Sequence, residues 1–391
     1  MRGRAYDAPP ATHSNGAQGA HARLNVVYDL RYATDHFPGI GAHAHALLAA
    51  LLKLPTDDRF RVLWRPTDHA SRFDTGSFAS HPRVDWTPVD APALGVRAPF
   101  ATGDRLRRLG GDVYLSPFYL EPVRALMPAV LTLHDAMHLA PEVRSPFGVR
   151  VRFALALRRA RGAAAVLTSS RFSRDELIRR AGFAAERLHV VPLGVPPRWP
   201  GAVERPVGVP ERAFALVVGG NRPHKGLATL ARAWTRMGEA RLVDLVSAGP
   251  LDPRFPSLDG LARRERAPGT HTLGQVSPGA LEWLYVNALF LVLPSAYEGF
   301  GLPLLEAAAR GTPVIASDIA ALREIGEGAV RFVPAGDDAA WADAVASLAA
   351  DAPERERQRR AGLERAAGHD YADVARRVRD VLAAVAGGRA R

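Results

Sequence analysis

The sequence holds no cysteine among its 391 residues. That excludes a disulfide framework, thiolate nucleophiles and thiolate metal sites, and it fits a reducing compartment. Lysine is nearly missing too: Lys53 and Lys225 are the only two among 51 basic residues, and the rest are arginine. In such a chain a retained lysine is worth noticing. No apolar run approaches the ~20 residues of a membrane-spanning helix. The opening segment, MRGRAYDAPPATHSNGAQGAHAR, has no apolar core. It is therefore expected to be a disordered tail over residues 1–22 rather than a secretory signal.

What is present is a globular composition. Hydrophobic residues make up 47%, enough for a full core, and the length suits two domains of ordinary size. The net charge of +11 is uneven, with +10 on residues 1–210 and +1 on residues 211–391. The first half should favour an anionic partner.

The most informative stretch is 294–318, PSAYEGFGLPLLEAAARGTPVIASD. The apolar run 289–293 before it reads as a buried strand. A turn follows with Glu298 and Gly299 at its tip. Gly301, Leu302 and Pro303 open a helix that stops at Gly311, and Val314 starts another strand. Strand, glycine turn and helix together present a polar ligand to a helix N-terminus. Glycines on both sides of Phe300 leave amides accessible to close approach. Carboxylates at Glu298 and Glu306 can accept hydrogen bonds from hydroxyls, so the combination suits a nucleotide sugar. Glu298 could also simply cap the helix, with Glu306 on a solvated face.

This E-x(7)-E spacing, with its surrounding letters and the continuation GTPVIASDIAALREIGEGAVRFVPAGD, resembles retaining glycosyltransferases of family 4. The resemblance implies an α/β chain of the GT-B fold, two Rossmann-like domains facing each other across a cleft. It implies that Glu298 contacts the donor sugar and Glu306 the ribose hydroxyls. The amides of Gly299, Phe300, Gly301 and Leu302 would lie against the donor.

The rest of the chain repeats one theme. Leu24–Leu30 is a buried strand, followed by the loop RYATDHFPGIG and the helix AHAHALLAALLKL. Gly39 and Gly41 stand beside the helix start, another anion-binding arrangement, where the family has a glycine-rich loop facing donor phosphates and acceptor. FRVLW is a second strand, and 67–97 is turn-rich and unassignable. DVYLSP and AVLTLHD are strands of the buried parallel kind. The second ends in His134 and Asp135, beyond the strand C-terminus where such sheets bind ligands. LTLHDAMHLAPE resembles the family's T-x-H-D segment, which implies that His134 touches the donor sugar or orients the acceptor. His138 is a lesser candidate.

From Arg144 to Arg180 there are ten arginines, and RFALALRRARGA reads as an amphipathic helix with arginine on one side. A solvated helix face, a surface for anionic lipid head groups or a lipid-diphosphate acceptor, and a nucleic-acid surface are all open readings. No nucleic-acid module is recognisable, so no nucleic-acid partner is expected. Ser170 or Ser173 can cap the next helix. The Pro- and Gly-rich run 196–212 is the best linker.

The second half opens with strand 213–218, the loop GGNRPHKG and the helix LATLARAWTRM. Arg222 and Lys225 beside free amides suit a diphosphate. The family has a Lys before a Gly here, matching Lys225, whereas its Arg after the strand is replaced by glycine and Arg222 is displaced into the loop. HTLGQVSPGALEWLYVNA supplies a strand, a Ser-Pro turn and a helix, and the resemblance implies that the backbone near Gly274 and Val276 faces the nucleobase. YADVARRVRDVLAAV is a terminal amphipathic helix.

The expected domains are an acceptor domain over 23–200, a donor domain over 201–370, and a helix of about 371–391 packing back on the first. The expected activity is retaining, metal-independent transfer of mannose from GDP-mannose to a lipid-diphosphate-linked glycan. The opening strand–loop–helix and the T-x-H-D segment most resemble bacterial O-antigen and capsule mannosyltransferases. No resident cofactor is expected, the nucleotide-diphosphate sugar being a substrate. The location implied is cytoplasmic, peripheral to the inner face of the cytoplasmic membrane, in contact with anionic lipid. Alternatives are a UDP-sugar transferase, an epimerase or hydrolase of the same fold, or a non-catalytic binding subunit.

Overall fold

The computed structural model describes residues 23–34, 38–66, 75–90, 98–120, 122, 126–198 and 201–388. The expected tail, residues 1–22, lies outside them. Two parallel sheets carry the chain. The first orders its strands β3 (Val84–Pro88), β2 (Arg59–Trp64), β1 (Asn25–Asp29), β4 (Val113–Ser116), β5 (Ala129–Thr132), β6 (Ala165–Thr168) and β7 (Leu188–Val190). The second orders β10 (Thr270–Gly274), β9 (Asp244–Ala248), β8 (Phe214–Val218), β11 (Phe290–Leu293), β12 (Val314–Ser317) and β13 (Arg331–Val333). Every pairing is parallel. In each sheet the winding reverses once, between β1 and β4 and between β8 and β11. Such reversals open a crevice beyond the strand C-termini.

The first sheet is flanked by α1 (Pro38–Lys53), α2 (Ala98–Leu109), α3 (Phe147–Ala160) and α4 (Arg171–Ala181). Helices α5 (Leu227–Met237), α6 (Leu258–Glu265), α7 (Pro278–Asn287), α8 (Leu302–Ala309), α9 (Ala320–Gly326), α10 (Asp338–Ala350) and α11 (Ala352–Ala367) belong to the second half. The terminal α12 (Tyr371–Gly387) packs against α1 of the first half, where Val374, Val378 and Leu382 join the core of Leu47, Leu51 and Val62. The buried strands read as unbroken apolar runs because both sheet faces are covered, as Phe290–Leu293 shows.

Three local readings need correction. Gly39 and Gly41 are inside the first turn of α1, not in a loop before it. Pro38 is the reason, since its fixed φ is suited to the first helical position and starts the helix early. The segment left unassigned holds β3, which Arg83 and Val84 join to β2 through Phe60. In α3 the arginines are not on one side. They stand on both flanks of an outward face, because Phe153, Leu157 and Ala160 alone turn inward. Among the described residues no helix is long and apolar enough to cross a membrane.

Candidate active site

The site is built where the second sheet reverses. Lys225 follows β8 and Glu298 follows the neighbouring β11, so parallel pairing of those strands brings the two loops together. The Lys225 Nζ lies 2.8 Å from a Glu298 Oε1, and the Ser295 hydroxyl donates to the same oxygen at 2.7 Å. Glu298 is thus not a helix cap, because Gly301 occupies the N-cap of α8 and no side chain caps it. Gly301 adopts φ +102°, and a Cβ there would stand 2.4 Å from Leu322. Among the described residues the N–H groups of Gly299, Phe300 and Gly301 donate to no main-chain acceptor. A cation and unused amides therefore share one rim.

The first half closes on this rim. A Cβ at Gly299 would come within 2.7 Å of both the His134 carbonyl and the Asp135 Cβ, so only glycine allows this approach. Ser170 and Ser173 both donate to the Gly299 carbonyl, at 2.6 and 2.8 Å. Ser170 is also the N-cap of α4, accepting from the Ser173 N–H. The carboxylate of Glu324, on α9, accepts from the N–H groups of Arg171 at 2.9 Å and Phe172 at 3.1 Å. One half of the chain thus caps a helix of the other.

The titratable groups behind the rim are displaced by burial. Burial lifts the Asp135 carboxyl to about 6, with the Met137 amide opposing and Glu298 adding to the shift. Burial pulls the His134 ring down to about 4, against a backbone hydrogen bond to Pro117. Its Nε2 is buried with no hydrogen-bond partner among the described residues. Its ring stands edge-on to His43 of α1, centroids 5.6 Å apart. Burial, and then His134, hold His43 down to about 3, and its Nδ1 lies 3.2 Å from the Tyr371 hydroxyl. His224, also buried, is lowered to about 4 by burial and by Lys225.

Glu306 projects from α8, half-buried. The Tyr285 hydroxyl donates to it at 2.6 Å, and burial raises its carboxyl above the ordinary value. Arg310, one turn later, is committed to Glu282 at 2.6 Å. Among the described residues, the other Glu306 oxygen, Oε1, has no hydrogen-bond partner. Arg222 is exposed on the loop before Lys225, and its charge lowers His138 further after burial has done so. His138 also meets the Ser145 hydroxyl at 2.8 Å.

The structure thus gathers His134, Lys225, Glu298, Gly299, Phe300 and Gly301 on one crevice, with Arg222 and His138 at its border. Leu302 and Glu306 continue along α8. Gly39 and Gly41 begin the helix that carries His43 to His134. Gly274 and Val276 stand apart, at and just beyond the end of edge strand β10, two places from β8. Sequence reasoning missed Ser295, Tyr285, His43, Ser170 as a latch, and Glu324, and it placed Asp135 at the strand end without giving it a role. The pattern P-S-A-Y-E put Ser295 one turn before Glu298, a signal available in the letters. Glu324 left none, because its partner is 153 positions away.

Two parallel sheets, with the site at the reversal within the second, define a two-domain α/β architecture. Comparison with known proteins agrees. Residues 38–199 match the model of Glycosyltransferase Family 4 and residues 213–351 that of Glycosyl transferases group 1. O-antigen chain mannosyltransferase B of Escherichia coli is 32% identical over 258 residues, 63% of this chain and 68% of that one. MMP alpha-(1->4)-mannosyltransferase of Mycolicibacterium hassiacum is 33% identical over 177 residues, 44% of this chain and 42% of that one. The latter match thus spans less than half of the relative. Anabaena HepE in complex with UDP-glucose superposes with a TM-score of 0.66 at 18% identity, covering 93% of this chain and 100% of that one. The chain belongs to glycosyltransferase family 4, group 1, and has the GT-B fold.

Proposed function

We propose that this chain is a retaining, metal-independent transferase that moves mannose from GDP-mannose to a lipid-diphosphate-linked glycan in surface polysaccharide assembly. The observation that carries the reading is the Lys225–Glu298 pair, 2.8 Å apart beside three unused amides at the sheet reversal. An ammonium has three donors, so Lys225 can keep Glu298 and still face a phosphate oxygen. Fixed cations and amides stabilise charge as the diphosphate leaves. Glu298 would accept from sugar hydroxyls, and Glu306, through Oε1, from the ribose. His134, held neutral by burial, would meet the sugar or the acceptor without repelling cations. Gly274 and Val276 would face the base. Gly39 and Gly41, in the first turn of α1, would turn a helix N-terminus toward phosphate or acceptor.

In the front-face route the acceptor oxygen bonds to the sugar C1 on the side the diphosphate leaves. The C1–O bond breaks toward the diphosphate, whose oxygen takes the acceptor proton. The mannose assignment draws support from the two mannosyltransferase relatives. A UDP-sugar donor is the second reading, favoured by the UDP-glucose-bound neighbour.

The test is transfer with purified chain, GDP-mannose and a polyprenyl-diphosphate-linked saccharide, with and without a chelator. An α-mannoside formed equally in both supports the reading. Transfer only from UDP-sugars, an inverted anomer, or loss on chelation each contradicts the corresponding part.

A further inference from the structure

The basic stretch between Val143 and Arg174 holds eight arginines and no acidic residue. The site uses none of α3, yet that helix presents an unusual face. Phe153, Leu157 and Ala160 point inward, and the opposite side is open. On it Phe147, Val151 and Leu155 recur every four residues, a single stripe along the helix. They are 81%, 40% and 57% exposed. Arg150 stands on one edge of this stripe and Arg152 and Arg159 on the other, with Arg158 among them. None of the four forms an ion pair among the described residues. Arg159 instead lies 5.8 Å from the ring of Phe100, itself 48% exposed at the start of α2, so the apolar patch extends onto a second helix.

Three large apolar side chains left in water along one helix line are not explained by stability, since burying them would be favourable. A solvated arginine face would not need them. A single-stranded nucleic-acid surface would line up successive aromatic platforms, whereas the stripe runs from Phe147 into the aliphatic Val151 and Leu155. Apolar centre with cationic margins is the arrangement of a helix lying in a bilayer interface, with arginine stems beside acyl chains and guanidinium groups at phosphates.

We propose that α3 and the Phe100 edge of α2 dock this protein on an anionic membrane, with Phe147, Val151 and Leu155 inserted below the head groups. This rests on the reading of a lipid-linked acceptor. The inner face of α3 carries Phe153, whose ring meets His138 edge-on at 5.0 Å. His138 follows His134 and Asp135 by a few residues. Docking therefore brings the acceptor-side loop within about one helix diameter, ~10 Å, of the lipid surface.

The experiment is sedimentation of the full chain with vesicles of phosphatidylcholine alone or mixed with phosphatidylglycerol. Wild type is expected on the mixed vesicles, with binding weakened by salt, and not on the neutral ones. Val151→Asp with Leu155→Asp should lose at least tenfold in vesicle affinity. Arg150→Ser with Arg158→Ser should lose about fivefold per charge. Both variants should keep transfer to a soluble saccharide acceptor, because these side chains touch nothing in the site. No binding of wild type to anionic vesicles overturns the proposal, even if detergent-dispersed acceptor is still glycosylated. Wild-type levels of binding in the aspartate variant, or a preference for oligonucleotide over vesicle that the same substitutions abolish, overturns it too. Vesicle binding that responds to the variants while lipid-linked acceptor is refused leaves the docking standing and removes the acceptor reading.

Discussion

Lys225 is one of two lysines in the chain, and its ammonium is oriented by Glu298. Lys225→Ala should lower the transfer rate on the order of a hundredfold, as expected when a charge-assisted contact to a transition state is lost. Lys225→Arg should recover only part, since a guanidinium is a planar fork rather than a point charge. Steady-state kinetics on both variants decides it, and an unimpaired Lys225→Ala would refute the diphosphate assignment. Asp135 offers a pH test. Its folded carboxyl titrates near 6, above an ordinary aspartate, so the folded state binds a proton more readily than the unfolded chain. Stability from this group is full below about pH 4 and is lost as pH rises toward 6 and beyond. Asp135→Asn should therefore gain stability relative to wild type at pH 7, on the order of 1–3 kcal/mol, and gain nothing at pH 4. Denaturant melts at the two pH values check this. At this scale the letters singled out Glu298, Glu306, Lys225 and His134 as candidates, through turn glycines, strand ends and the resemblance of their surrounding segments to the family. They could not reveal that Tyr285 holds Glu306 or that Ser295 holds Glu298, since those bonds need the folded register.

Among the elements, α4 and the turn after β11 are the informative pair. The letters offered Ser170 or Ser173 as the N-cap, and the structure uses Ser170. Its second bond, to the Gly299 carbonyl 129 positions away, was not legible. Glu324 completes the latch from α9, a seven-residue helix too short to stand out by periodicity. The carboxylate replaces water at two orphan N–H groups, so losing it resembles losing an N-cap, about 0.5–2 kcal/mol. Glu324→Ala should weaken closure and lower kcat/KM up to roughly tenfold, with a larger radius of gyration in solution scattering. Glu324→Gln, which can still accept, should recover part of the activity. Unchanged kinetics and scattering in Glu324→Ala would show that the contact does not hold the halves together. The displaced start of α1 is instructive in the opposite direction: glycines at 39 and 41 suggested a loop, but Pro38 had already set the helix geometry.

For the whole molecule, the two parallel sheets followed from apolar runs alternating with helical segments, whereas the order of the strands within each sheet came only with the structure. Less legible was how the chain crosses between halves. It does so twice, and the crossings are bonded to each other: the Val195 N–H donates to the His369 carbonyl at 2.8 Å. Beyond the second crossing, Arg379 of α12 pairs with Asp58 at 2.7 Å, both nearly inaccessible. Although burial pushes the Asp58 carboxyl up, the Arg379 guanidinium and the Leu24 amide hold it below the usual range. Arg379→Ala would strand that carboxylate, and should cost about 3–5 kcal/mol in a denaturant melt. A loss under 1 kcal/mol would mean that α12 is not anchored there. This clamp keeps the terminal helix, and with it Tyr371 beside His43, in place at the back of the crevice.

The central claim is that the crevice at the sheet reversal binds a nucleoside diphosphate through Lys225. Thermal stabilisation of wild type and Lys225→Ala by GDP, UDP, ADP, CMP and GDP-mannose tests it most directly. The account predicts that GDP and GDP-mannose raise the wild-type Tm, by about 2.7 kcal/mol of stabilisation at a hundred times Kd, and that Lys225→Ala largely loses the effect. A shift with UDP alone would keep the transferase and replace the mannose donor. No shift with any nucleotide, or equal shifts in wild type and Lys225→Ala, would contradict it.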